Sequence, residues 1–282
     1  LWGFIDVLEN ALGAQLERSA GRPLINGLHG FWSLGAFAGS LIAGGAAFAG
    51  IAPLAQFIGT GAVVALGSAW FLRALPDLAA SDAPPGVVPG SIVFTAAVLG
   101  LVAMGFAAVI AEGGTSDWSA LYLREISHAN PGVAAAGFSG FSVAAMLVRF
   151  RADLVAARMG QAAVARIGAV MAVGGLALAI AFPWLPAAVV GFTIVGMGTA
   201  VVVPFVFAAG ANLGQTGTSL ALVMAATYCG TIAGPPLIGT AADHIGLRFA
   251  MAIPLVAALA VLLLAGNLAM TPSATGLRPA RR

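Results

Sequence analysis

The chain has 282 residues, of which 60% are hydrophobic and only 8% are charged, and its mean hydropathy is +1.02. Soluble domains carry about 25% charged residues, so this composition excludes a soluble domain and indicates a protein of the lipid bilayer. The formal net charge is only +2 and every basic residue is an arginine, which predicts no basic face for nucleic acid. The single cysteine, Cys229, lies in an apolar run, so no disulfide is expected.

Membrane spans are predicted from apolar stretches of ~20 residues, and nine stretches qualify at least in part. They cover residues 1–16, 31–51, 54–75, 91–111, 131–150, 161–182, 184–210, 218–239 and 247–270. The sequence therefore predicts an all-α fold, a polytopic bundle of membrane helices. The first stretch begins at Leu1, contains Asp6 and Glu9 and has no basic flank, so we expect a helix entered partway along and not a signal peptide.

Arginine positions predict the orientation of these spans, because cytoplasmic loops are enriched in basic residues. If the nine spans alternate, ten arginines fall on one side of the membrane and only Arg124 and Arg248 fall on the other. The side with ten is predicted to be the cytoplasm, and it holds residues 17–30, 76–90, 149–160, 211–217 and the tail 271–282. The proline-rich stretch 76–90 is predicted to be a central loop between two bundles, 1–75 and 91–270.

An internal repeat is indicated by GTIAGPPLIG at 230–239 and GAFAGSLIAG at 35–44, which have glycines at the same offsets. A shift of 195 residues also aligns the neighbouring spans. Such a parallel repeat is typical of transporters built from two similar six-helix halves. Under this shift the spans at 91–111, 131–150 and 161–182 have no counterpart, so the chain is expected to hold helices four to twelve of a twelve-helix protein.

Glycines and prolines in the two repeated segments have predicted structural roles. Glycines four residues apart form small faces that let membrane helices approach one another closely. The pairs are Gly35 with Gly39 and Gly230 with Gly234. Pro235 and Pro236 remove two backbone donors and are predicted to bend their helix. The bend is either a moving part or a packing kink, and the sequence leaves both open.

Ionisable residues inside membrane spans are costly and by default mark a substrate or proton path. In the first span Asp6 and Asn10 share one helical stripe, with Glu9 beside it, and they are predicted to face a water-filled cavity or another helix. In the fourth span Glu112 precedes a Gly-Gly pair that is predicted to break the helix, and Asp117 follows it. These two acids are predicted either to exchange protons with the periplasm or accept hydrogen bonds from a polar substrate, or else to be ordinary interfacial residues.

A charged cluster, RFRADLVAARMG at 149–160, is predicted to lie at the cytoplasmic junction of two helices. Arg149, Asp153 and Arg158 are four and five residues apart, so Asp153 can pair with either arginine. Part of this charge is explained by anchoring at the cytoplasmic side, and the remainder is interpreted as a latch.

The charged cluster resembles the C-terminal-half copy of a loop motif of the major facilitator superfamily. The residues that match the family pattern are Arg149, Asp153, Arg158 and Gly160. Val148 and Ala152 stand where that pattern has glycines. Three further segments are similar to the sugar-permease-like bacterial branch: DVLEN and ERSAGRPLINGLHGFWSLGAFAG within residues 6–39, EGGTSDWSALYL at 112–123 and YCGTIAGPPLIG at 228–239. The likeness covers nearly the whole chain and departs at Glu9, where an apolar residue is expected.

The resemblance implies a fold of two six-helix halves and secondary transport by alternating access, often coupled to protons. It also implies that the charged cluster stabilises one state of the gate. The residues predicted for the substrate or proton pathway are Asp6, Glu9, Asn10, Glu112, Asp117 and Asn212. The residues predicted for the gate are Arg149, Asp153, Arg158 and Gly160.

The sequence thus predicts a secondary active transporter of a small solute, coupled to protons and acting as a monomer in a bacterial cytoplasmic (inner) membrane, with its C-terminus in the cytoplasm. No HExxH, Walker A or GxSxG motif occurs, and no cofactor or metal is expected. The three histidines are scattered at span ends: His29, His128 and His244. Two alternatives remain open: a polytopic membrane enzyme that uses Asp6, Glu9 and Glu17, and a non-transporting, truncated remnant.

Overall fold

The computed structural model describes residues 24–74, 95–213 and 218–269, together with Glu9, Leu12, Gly13 and Leu16, and these residues form helices and short connections without a strand. The predictions for Asp6, Asn10, the loop 76–90 and the tail 271–282 lie outside the described residues. The helices are α1 Ile25–Phe48, α2 Pro53–Ala74, α3 Ala96–Glu125, α4 Pro131–Met159, α5 Gln161–Ala181, α6 Leu185–Thr199, α7 Val202–Asn212, α8 Thr218–Ile245, α9 Leu247–Ala250 and α10 Ala252–Leu264, followed by a 3₁₀ helix at Ala265–Ala269.

Helices long and apolar enough to cross a membrane account for most of the described residues. Within those ranges six such stretches occur: Pro53–Phe71, Ala96–Glu125, Gln161–Ala181, Leu185–Asn212, Thr218–Ile245 and Leu247–Ala269. In addition, α1 and α4, with 24 and 29 residues, occupy two more of the predicted spans. The prediction of an all-α, multi-pass membrane bundle is confirmed, whereas the total of nine helices stays a prediction.

Small residues bring the helices of this bundle into backbone contact. A Cβ atom added to Gly168 of α5 would overlap the carbonyl oxygen of Gly198 in α6. One added to Gly175 would lie 2.5 Å from the carbonyl oxygen of Gly191. These glycines are therefore required by close approach, as expected where helices in lipid associate through packing and not through a hydrophobic driving force.

The predicted glycine faces of the two repeated segments have different surroundings. A Cβ at Gly230 would lie 2.8 Å from the carbonyl oxygen of Phe106 in α3, and one at Gly234 would lie 3.7 Å from Ile110 Cγ1. Close packing of α8 on α3 is therefore observed. At Gly35 and Gly39 of α1 the described residues place no atom within 4 Å of a Cβ, so the predicted close contact is not found there.

The predicted helix break at Gly113 and Gly114 is wrong. α3 runs unbroken through both glycines to Glu125, beyond the predicted end of the span at residue 111. A glycine inside a helix costs about 1 kcal/mol relative to alanine, but tertiary packing offsets that cost, because Gly114 is buried and a Cβ there would lie 2.7 Å from Ile238 Cδ1 of α8. Asp117 is consequently a helical residue and does not follow a break.

The predicted cytoplasmic loop 149–160 is also wrong in its extent. Residues 149–159 form the last part of α4, and Gly160 alone connects α4 to α5. Arginine, alanine, leucine and methionine are strong helix formers, and the first helix-breaking residue in this stretch is Gly160. Its φ of +82° and ψ of 147° lie in a region open almost only to glycine, which explains the glycine at this sharp junction.

A single predicted span, 184–210, is divided into two helices. α6 ends at Thr199 and α7 begins at Val202, so Ala200 and Val201 separate them. The signal in the sequence is Pro204, which lacks a backbone N–H and therefore disturbs the helical hydrogen bonds just before it. This interruption positions the candidate functional site.

Candidate functional site

Arg149 is a buried cation in the interior of α4. Its side chain is only 4% exposed, although the helix continues for almost three more turns to Met159. A charge at such a position is unfavourable unless other groups compensate it. The identity of those groups therefore defines the site.

Two helices and the link between α6 and α7 supply the partners of Arg149. One terminal guanidinium nitrogen forms an ion pair with Glu112 of α3, and the other donates a hydrogen bond to the hydroxyl of Ser33 in α1. Nε donates to the carbonyl oxygen of Ala200 at 2.9 Å. The guanidinium carbon also lies 5.9 Å from the ring centroid of Trp32, within range of a cation–π interaction. We call these five residues the Arg149 cluster.

The hydrogen-bonding capacity of the cluster fits its chemistry. The Ser33 hydroxyl donates to the carbonyl oxygen of His29 at 3.2 Å, which leaves its lone pairs to accept from Arg149. Glu112 is 15% exposed, so one carboxylate neutralises one guanidinium in a largely dry environment. The pair is electrically neutral, so its burial in the bundle is tolerated only while both charges are present.

The helix interruption between α6 and α7 supplies the Ala200 carbonyl. In a continuous helix this oxygen would accept from the N–H of residue 204, but Pro204 has none. Arg149 Nε takes that place. Backbone groups freed at membrane depth are tolerated where neighbouring side chains satisfy them, and interrupted helices near the midplane are a recurrent feature of transporter binding sites.

The depth of the cluster follows from where its members lie along their helices. Glu112 is near the middle of α3, and Ala200 is near the middle of the stretch Leu185–Asn212. Both are far from the helix ends, so the cluster lies inside the membrane-spanning bundle. Its members also come from both predicted halves, because α1 belongs to the first bundle, and α3, α4 and the link between α6 and α7 belong to the second.

The other predicted site residues are not brought into this cluster. Asp117 is exposed on α3, where its carboxylate accepts from the Ser116 hydroxyl at 3.3 Å. Asn212 is exposed at the end of α7, and Arg158 is exposed in the last turn of α4. Glu9 is helical and exposed. Asp153 is half-buried one turn after Arg149. Their assigned roles stay predictions.

Sequence reasoning identified Arg149 and Glu112 separately but not as partners. It missed Ser33, Trp32 and Ala200 entirely. Serine, tryptophan and alanine are common in apolar helices, so nothing in the sequence singles these three out, although Pro204 could have indicated a freed carbonyl at Ala200. Among the residues that the structure describes, no group of three or more metal-ligating side chains is close enough to hold a metal ion.

Comparison with known proteins shows similarity to membrane transporters of bacteria. No protein-family model matches the chain. An uncharacterized transporter of Sinorhizobium fredii, y4wD, is 34% identical over 254 residues, which cover 87% of this chain and 66% of the relative. An uncharacterized MFS-type transporter of Yersinia pestis is 30% identical over 250 residues, which cover 88% of this chain and 64% of the relative. The chain thus spans about two thirds of the length of these relatives.

Solved structures show the same fold. The crystal structure of the major facilitator superfamily transporter FucP in the outward conformation has a TM-score of 0.56 and 22% identity, and the match covers 61% of this chain and 42% of FucP. A variant of the E. coli fucose:proton symporter FucP gives a TM-score of 0.55 and 23% identity over the same shares. At this level of identity the likeness establishes the fold.

Proposed function

Since the chain belongs to the major facilitator superfamily, we propose that it works as a secondary active transporter that moves a small solute by alternating access, with coupling to protons. The superfamily consists of transporters and not of enzymes, so the enzyme alternative is set aside. The proposal includes a monomer in a bacterial cytoplasmic membrane, with the C-terminus in the cytoplasm.

The observation that carries this proposal is the Arg149 cluster. Alternating access requires two bundles to separate on one side of the membrane and close on the other. Arg149 binds Ser33 and Trp32 of α1 as well as Glu112 of α3. When the bundles rock, the contacts to α1 break while the ion pair inside the second bundle can persist. The cluster therefore acts as a latch for one state of the cycle.

Protonation of Glu112 is the proposed coupling step. A proton on this carboxylate removes the negative charge that compensates Arg149 and leaves a buried guanidinium without a counter-charge. Removing one partner of a buried ion pair is strongly destabilising, so proton loading weakens the closed arrangement. In this proposal Arg149, once it lacks its counter-charge, gives up its hydrogen bond to Ser33, and α1 is released.

A proteoliposome assay tests the proposal. The full chain, reconstituted with a pH-sensitive dye inside the vesicles, is given a panel of small solutes that begins with fucose, the solute named for the FucP symporter. We expect solute-driven proton entry that is lost in Glu112→Gln and retained in Asp243→Asn, a control at an exposed acid of α8. Solute entry without proton movement would contradict the coupling. Absence of movement for every solute would support the alternative of a chain that does not transport.

A further inference from the structure

An open groove of about 550 Å³ lies on the side of the bundle formed by α4, α5 and α6. Its walls are apolar, and representative lining residues are Ala144, Leu147, Val155, Val164 and Met197. The hydroxyl of Thr193, which also lines the groove, donates to the carbonyl oxygen of Val189 at 2.8 Å and is thereby occupied within its own helix. A polar solute would find few partners along these walls.

The groove is separate from the Arg149 cluster and opens outward. Arg151, which lines the groove, is two residues after Arg149, so the two side chains project from nearly opposite sides of α4. Leu147 is 59% exposed and Met197 is 38% exposed, so the described residues do not cover this side. In a membrane such a surface faces lipid.

One arginine lines the groove, and a second lies just beyond it. Arg151 is an exposed lining residue one turn before Val155, the last lining residue of α4. Arg158 does not line the groove but is exposed further along the same helix. The spacing Arg151, Val155, Arg158 is four and three residues, which places all three on one face of the helix. Asp153, the acid of this segment, is not among the lining residues. The groove is thus an apolar channel with a cationic end, on the side of the membrane that arginine placement predicts to be cytoplasmic.

We propose that this groove binds an anionic phospholipid of the cytoplasmic leaflet, with an acyl chain along the apolar walls and its phosphate at Arg151 and Arg158. Along α4 the lining runs from Gly140 to Val155, about 22 Å at ~1.5 Å per residue. This length is sufficient for the acyl region of one leaflet, about half of a ~30 Å hydrocarbon core. Anionic lipids are attracted to basic residues at the cytoplasmic surface.

Native mass spectrometry of the full chain tests this site. The probes are phosphatidylglycerol and phosphatidylcholine with the same acyl chains, added separately to delipidated protein. We expect about fivefold tighter binding of phosphatidylglycerol per interacting arginine. Arg151→Gln should reduce that preference, whereas Arg73→Gln, at an exposed arginine in the last turn of α2, should leave it unchanged. Equal binding of the two lipids by the parent chain would overturn the proposal. So would an equal loss of the preference for phosphatidylglycerol in Arg151→Gln and Arg73→Gln.

A second variant tests the apolar part of the site. Met197→Trp adds bulk to the groove wall and should reduce the retention of both phospholipids, while circular dichroism verifies that the helices remain folded. Unchanged retention would show that the acyl chain lies elsewhere. A dimer that dissociates in Met197→Trp, with no change in lipid binding, would assign the groove to a second copy of the chain and also contradict the proposal.

Discussion

Arg149 and Glu112 form an ion pair between the interiors of two adjacent helices, although 37 positions separate them in the sequence. Each residue alone would be a buried charge in an apolar bundle. Together they form a neutral pair. The other terminal nitrogen of Arg149 binds α1 through Ser33, and its Nε binds the link between α6 and α7 through the Ala200 carbonyl. Stability and the proposed transport cycle therefore depend on the same side chain.

Breaking this ion pair from one side is expected to be more harmful than removing it. Arg149→Met leaves the Glu112 carboxylate buried without its partner, and we expect a loss of about 3–5 kcal/mol in the free energy of unfolding. Adding Glu112→Gln removes the orphan charge and should restore part of that loss. Unfolding in mixed detergent micelles measures both, with Arg124→Met as the control at an exposed arginine. A double variant no more stable than Arg149→Met would refute the assigned pairing.

The contact between Ser33 and Arg149 is expected to control the distance between α1 and α4. Ser33→Ala leaves one buried guanidinium donor without its acceptor, at a cost of about 1–3 kcal/mol, so the two helices should separate more often. Phe31 and Phe150, whose ring centroids are 5.5 Å apart, are suitable positions for paired cysteines in a Cys229→Ser background. A short bifunctional thiol reagent measures the linked fraction.

The linked fraction is expected to fall in Ser33→Ala. The matched control is Ser68→Ala, at an exposed serine of α2, which should leave the fraction as it is in the parent chain. If Ser33→Ala and Ser68→Ala give the same linked fraction, then the hydroxyl does not hold α1 against α4. That result would leave the ion pair intact but remove the latch from the proposed function.

Much of the fold could be predicted from hydropathy, because each membrane span needs a long apolar stretch. The main error, the loop at 149–160, has a physical origin. Arginine and aspartate in a membrane protein suggest a cytoplasmic loop, and a buried arginine breaks that rule only when a partner from another helix compensates it. Glu112 is that partner, and a contact over such a separation leaves no periodic signal in the sequence.

The glycines show a second limit of sequence reasoning. Gly113 and Gly114 were predicted to break a helix, whereas Gly230 and Gly234 were predicted to pack, and only the second prediction agrees with the structure. A glycine in a membrane helix either ends that helix or lets a neighbouring helix approach closely. Which of the two occurs depends on the residues of the helix that packs against the glycine. For Gly114 that neighbour is Ile238, 124 positions away by sequence number. Local sequence cannot contain this information.

The interruption between α6 and α7 is expected to depend on Pro204. Pro204→Ala introduces a backbone N–H that can donate to the Ala200 carbonyl and compete with Arg149 Nε for it. We expect a more continuous helix, because residue 204 then donates to the Ala200 carbonyl. Arg149 loses that acceptor, so we also expect a slower transport cycle. Hydrogen exchange at the new amide of position 204 reports the helical bond, and flux in proteoliposomes reports the rate. Rapid exchange at this amide together with unchanged flux would contradict the role given to Pro204.

The junction at Gly160 predicts opposite signs for two glycine-to-alanine substitutions. Among the described residues no atom lies within 4 Å of a Cβ added at Gly160 or at Gly113, so these residues produce no steric clash at either position. Gly160 has a φ of +82°, and Gly160→Ala should destabilise the chain by about 1–3 kcal/mol through backbone strain. Gly113 lies inside α3, so Gly113→Ala should stabilise it by about 0.5–1 kcal/mol. Thermal unfolding midpoints in detergent measure both shifts. Because the two positions differ mainly in backbone conformation, shifts of the same sign would show that strain at the α4–α5 junction does not explain the glycine there.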